Sequence, residues 1–94
     1  MGKKVNDDCK QKFYEAVLTL KDESECEKFF NDICTITELS SISQRLEVAM
    51  LLKEKKTFNE IVLKTGASTT TISRVNRCIQ YGEGGYETVL KRLK

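Results

Sequence analysis

Thr69, Thr70, Ser73, Asn76 and Arg77 fall on one side of a helical repeat, with Arg74 at its edge. Hydroxyl, amide and guanidinium groups gathered in this way suit hydrogen bonding to phosphate oxygens and to the edges of nucleic-acid bases. Opposite them, Ile72, Val75 and Ile79 recur at intervals of three and four and form an apolar stripe that must face a core. The polar set therefore needs a helix seated on other elements, and the residues before it supply them. Ser68, followed by three threonines, is placed to cap that helix. Upstream, Thr57 and Glu60 have capping-box spacing for a shorter helix with Ile61 and Val62 facing inward, and Gly66 stands where the chain must turn. The segment from Thr57 to Ile79 reads as a helix-turn-helix.

Little else in the chain has the makings of chemistry. There is no histidine, which removes the commonest general base, and no motif holds two carboxylates together, so an enzyme is not expected. The four cysteines, Cys9, Cys26, Cys34 and Cys78, are far apart and form no C-x-x-C pair. Each lies in a helical pattern near apolar residues, and they read as buried structural thiols in a reducing compartment, with neither metal nor cofactor expected. The GEGG stretch at 82–85 has no strand before it and no Lys-Ser/Thr after it, so it reads as a hinge or helix C-cap and not as a phosphate loop.

At 94 residues with 39% hydrophobic and 32% charged content, the composition is that of one globular domain. No apolar run approaches the ~18 residues of a membrane span, and no hydrophobic leader follows Met1-Gly2-Lys3-Lys4, so a cytoplasmic protein is expected. A domain this small buries only roughly 60–65% of its unfolded surface, which makes association favourable. The net charge of +2 hides an asymmetry: residues 1–44 hold six Lys/Arg against nine Asp/Glu, and residues 45–94 hold ten against five. The positive half contains the helix-turn-helix, as a phosphate-facing half would.

Helical periodicity runs almost throughout and predicts six helices. The first runs from an N-cap at about Asn6 to Leu20, with Cys9, Phe13, Ala16, Val17 and Leu20 on one face. Ser24 and Glu27 form a capping box for the second, which carries Cys26, Phe29, Phe30 and Ile33, the phenylalanines being candidate core. Thr35 and Glu38 open a longer third helix toward Lys56, with Leu39, Ile42, Leu46, Ala49, Met50 and Leu52 inward. The last spans Tyr86 to Lys94. The helices of residues 1–56 thus precede a helix-turn-helix at 57–80, and 84–94 form the C-terminal helix of a single domain.

The runs SQRLEVAMLL at 43–52, TFNEI at 57–61, TGASTTTISRVNR at 65–77 and YGEGGY at 81–86 closely resemble the YerC/YecD-like branch of the Trp repressor superfamily. The resemblance covers roughly residues 30–90. It implies an all-α, six-helix, Trp-repressor-like fold with a helix-turn-helix, arranged as an intertwined homodimer that binds double-stranded DNA, with residues 1–56 as its dimerisation helices. Carried over position by position, it places DNA contacts on Ser68, Thr69, Thr70, Thr71 and Ser73, supported by Thr57, Asn59 and Lys64. The polar face of the helix adds Arg77 and Arg74 as candidate DNA contacts, with phosphate contact, ligand contact and an intramolecular pair all open to Arg74. The resemblance also places a candidate effector pocket at Cys34, Gln44, Arg74, Val75 and Cys78. In the Trp repressor two arginines sandwich the indole ring of tryptophan. Here Arg74 matches one of them, Gln44 replaces the other, and Val75 replaces a glycine that leaves room for the ligand. Tryptophan is therefore not the expected corepressor. The function implied is a sequence-specific transcriptional regulator, a repressor in the first instance. The alternative is a helical protein-interaction module that docks a partner protein through the same motif.

Overall fold

A computed structural model describes residues 7–93. Among them are six helices and no strand: α1 (Asp7–Leu18), α2 (Glu23–Ile33), α3 (Ile36–Lys53), α4 (Phe58–Thr65), α5 (Thr69–Tyr81) and α6 (Gly85–Arg92). The all-α expectation holds. Asn6 and Lys94, expected at the start of the first helix and the end of the last, lie outside the described residues. The chain divides into two compact units, Met1–Ile36 and Thr37–Lys94. No described helix is long and apolar enough to cross a membrane.

In the first unit, Phe13 of α1 stacks on Phe29 of α2 at 6.2 Å between ring centroids and meets Phe30 edge-on at 6.4 Å. This aromatic cluster is only partly covered, and no residue of α1 or α2 is fully buried. The second helix starts earlier than its sequence predicts. Its cap is Asp22 and not Ser24: the Asp22 carboxylate accepts from the Glu25 amide at 2.9 Å, and Glu25 accepts from the Lys21 amide at 2.8 Å. Asp22 and Glu25 have the same spacing as Ser24 and Glu27, and a carboxylate at a helix start is favoured by the helix dipole as well.

The second unit holds the core. Val48, Ala49 and Leu51 of α3, Ile61 of α4, Ala67, and Ile72 and Val75 of α5 are buried, with Leu52, Val62, Ile79, Tyr86 and Leu90 packed against them. Ile42 and Met50 share the inward periodicity of α3, yet they stay 50% and 41% exposed. The predicted burial of the cysteines fails too. None of the four forms a disulfide among the described residues, but Cys9, Cys26 and Cys78 are exposed and Cys34 is only partly covered. Periodicity places these residues beside apolar neighbours, and within one chain those faces remain largely uncovered.

Local chemistry sets the helix-turn-helix. Thr57 Oγ1 accepts from the Glu60 amide at 3.1 Å, and Glu60 Oε1 accepts from the Thr57 amide at 2.7 Å, which completes the predicted box. Gly66 ends α4 at φ +75°, in the left-handed region. Thr65 then braces the turn: its hydroxyl donates to the Ile61 carbonyl at 2.8 Å and accepts from the Ala67 amide at 3.0 Å. From α3 the Gln44 amide donates to the Thr65 carbonyl at 3.1 Å, tying the turn to the core helix. Ser68 caps α5 by accepting from the Thr71 amide at 3.1 Å. At the far end of α5 a Cβ on Gly82 would run into the Cys78 carbonyl oxygen, so this close approach requires glycine.

Candidate nucleic-acid interface

Burial of Ile72 and Val75 orients α5 and turns its other face to solvent. On that face Thr69, Thr70, Ser73, Arg74, Asn76, Arg77, Gln80 and Tyr81 line one shallow concavity of about 550 Å³. Thr69, Thr70, Ser73, Arg74 and Arg77 are thus brought together as the sequence predicts. Gln80 and Tyr81 were missed. Their signal is spacing, because Ser73, Arg77 and Tyr81 follow at intervals of four, as do Asn76 and Gln80. Gln80 and Tyr81 lie beyond Ile79, the last member of the apolar stripe.

The remaining predicted residues take other places. Ser68 and Thr71 form the cap of α5, their hydroxyl oxygens 3.2 Å apart. Thr57 caps α4, and Asn59 and Lys64 are exposed on that helix. Lys64, Arg74 and Arg77 form no ion pair or hydrogen bond among the described residues, so their charges are available to an external anion. Glu60 holds its carboxyl below its ordinary range because the Thr57 amide donates to it.

Of the five residues expected in the effector pocket, Arg74, Val75 and Cys78 line a hollow of about 140 Å³ with Arg45, Thr71 and Tyr86. Gln44 is engaged instead with the Thr65 carbonyl, and Cys34 belongs to the other compact unit. Burial raises the Tyr86 phenol above its ordinary range. Cys78 adds to the rise and the Arg45 charge opposes it.

The geometry is accompanied by clear kinship. The chain is 53% identical over 81 residues to the uncharacterized protein YerC of Bacillus subtilis (strain 168), covering 86% of this chain and 78% of that one. A TrpR-like protein from Eubacterium eligens ATCC 27750 superposes with a TM-score of 0.84 at 52% identity, over 87% of this chain and 84% of its own. A putative Trp repressor from Staphylococcus aureus superposes at 0.88 with 42% identity, over 93% and 87% of the two chains. The Trp repressor protein family matches residues 9–94, nearly the whole sequence, and the chain belongs to that family.

Proposed function

We propose that the protein is a cytoplasmic, sequence-specific DNA-binding regulator, a repressor that acts as a homodimer. The observation that carries this reading is the α5 surface: hydroxyl, amide and unpaired guanidinium groups share one exposed face of a helix whose opposite face is buried. In helix-turn-helix proteins such a second helix enters the major groove with its N-terminal residues at the base edges. Thr69, Thr70 and Ser73 would meet bases, and Arg77 and Lys64 would meet phosphates. Leading hydroxyls, in place of bidentate Arg or Asn, make water-mediated contacts and DNA shape the main sources of specificity. Water-mediated base contact in the Trp repressor is itself an established example of this kind of recognition.

Dimerisation is supported by apolar side chains that one chain leaves in water. Leu18 is 83% exposed and Ile36 88% exposed, and α1 and α2 bury nothing fully. Two helix-turn-helix heads related by a two-fold axis would read a pseudo-palindrome with half-sites about one helical turn, roughly 34–36 Å, apart. Tryptophan is not the corepressor on this reading, because Gln44 is tied to the turn and Val75 stands at the wall of the small hollow.

Selection of bound sites from randomised duplexes, at moderate salt and without added ligand, tests the proposal. Enrichment of a pseudo-palindrome with that spacing is the expected result. A pool that stays random with and without candidate effectors, together with partner binding insensitive to salt, would replace it with the protein-interaction reading.

A further inference from the structure

Tyr81 closes the polar row of α5. It stands four residues after Arg77 and eight after Ser73, and it lines the same concavity as both. It is 81% exposed, and its phenol makes no hydrogen bond or ring contact among the described residues. A single large side chain in water is ordinary by itself. This one, however, lies in line with the Arg77 guanidinium on the face opposite the buried Ile72 and Val75, where it meets whatever that face binds. The last turn of α5 carries no basic residue, and its carbonyl end is the negative pole of the helix dipole. A contact to an anion there falls to a neutral donor. Tyrosine offers a hydroxyl on a long, rigid side chain that loses little freedom when held. Glu83, the next carboxylate along the chain, borders a different groove with Ile42, Cys78 and Val89.

We propose that Tyr81 is a further DNA contact, whose hydroxyl donates to a backbone phosphate at the rim of the major groove while its ring packs on the adjoining sugar. The proposal rests on the DNA reading of α5. From Thr69 to Tyr81 the helix rises about 18 Å at roughly 1.5 Å per residue, more than the roughly 12 Å width of a major groove. With the first turn of α5 at the base edges, its last turn therefore reaches the sugar-phosphate wall. Tyrosine is among the side chains that hydrogen-bond phosphate oxygens, and such contacts fix the register of a helix in the groove without reading sequence. The role differs from that of Arg77 in one measurable way. A neutral hydroxyl cancels no phosphate charge and so releases no counterion.

Fluorescence anisotropy with a selected and a random duplex, across a salt series, tests the contact in Tyr81→Phe, which removes only the hydroxyl. Affinity for both duplexes is expected to fall by the same factor, roughly 3- to 10-fold, with the salt slope unchanged. Tyr81→Ala, which removes the ring as well, should weaken both further. Interference by phosphate ethylation identifies the partner group: ethylating one rim phosphate in each half-site should impair the wild type and leave Tyr81→Ala indifferent. Circular dichroism and sedimentation equilibrium should show both variants folded and associated as the wild type is. Equal affinities of Tyr81→Phe and wild type for both duplexes overturn the proposal. So does a loss confined to the selected duplex, because the phenol then reads a base. A change in self-association that accounts for the lost affinity overturns it too, because the ring then serves the subunit contact. In each of these cases the wild type still binds DNA and only the Tyr81 contact fails, whereas a wild type that binds neither duplex removes the DNA reading and the contact with it.

Discussion

Thr70, Ser73 and Arg77 line one hollow on α5, but their chemistry separates what each would do at a DNA surface on the proposed reading. Short hydroxyls read base edges or the waters on them, whereas an unpaired guanidinium neutralises phosphate. Replacing Thr70 or Ser73 by alanine should narrow the affinity gap between selected and random duplexes, by about 1–3 kcal/mol if the side chain reads one base pair. Arg77→Ala should weaken both duplexes alike and lower the slope of log affinity against log salt by about one, as read by fluorescence anisotropy across a salt series. An unchanged slope would remove Arg77 from the phosphate contacts. The hydroxyl and guanidinium residues of this face were legible in the sequence because their types and helical spacing alone put them together. Gln80 and Tyr81 were not, because an apolar stripe marks where a helix packs and says nothing of how far its outer face continues. Arg45 was hidden for another reason: only the packing of α3 against α5 and α6 brings it beside Arg74.

At the scale of elements, the helix-turn-helix depends on a few local devices whose removal has predictable cost. Gly66 lies at φ +75°, so Gly66→Ala forces a side chain into the left-handed region and should destabilise the unit by about 1–2 kcal/mol, seen as a lower urea midpoint with unchanged slope. Glu60 adds a pH dependence with a definite sign. Its carboxyl titrates below the ordinary carboxylate range in the folded chain, so the unfolded chain binds the proton more readily. The stabilisation is therefore complete above that ordinary range and is lost as pH falls from it through the lower value of the folded chain. Thermal melts of wild type and Glu60→Ala should differ most near neutrality and converge in acid, and a constant difference would mean that the carboxylate charge plays no part. The starts of α4 and α5 were legible because caps are local, each made by residues three apart. The start of α2 was misread for the same reason, since Asp22 and Ser24 offer equivalent spacing to Glu25 and Glu27 and the flanking packing selects one.

At the scale of the whole molecule, the apolar side chains that one chain leaves exposed are what the proposed homodimer would cover. Ile36, 88% exposed, provides a sharp test. In a monomer, Ile36→Asp is a surface change and should alter stability by less than about 0.5 kcal/mol. In the homodimer proposed here it places a charge in an apolar contact, and sedimentation equilibrium should show at least a tenfold weaker association. The wild-type melting temperature should also rise with protein concentration, because association binds the folded state only. A melting temperature independent of concentration, with an Ile36→Asp variant indistinguishable from wild type, would leave the protein monomeric. The excess of basic groups in residues 45–94 fits the phosphate contact proposed for the half that holds the helix-turn-helix.

Helix number, the caps of α4 and α5, the turn at Gly66 and the composition of the α5 surface follow from the sequence, since each depends on residues within one or two helical turns. Tertiary structure alone decided that Gln44 braces the turn at Thr65, that Arg45 joins Arg74 around a hollow, and that Cys9, Cys26 and Cys78 face water. Those outcomes depend on how helices distant in sequence pack against one another, or on faces that find no partner within one chain. Periodicity shows which side of a helix is apolar, but only packing shows whether that side is covered.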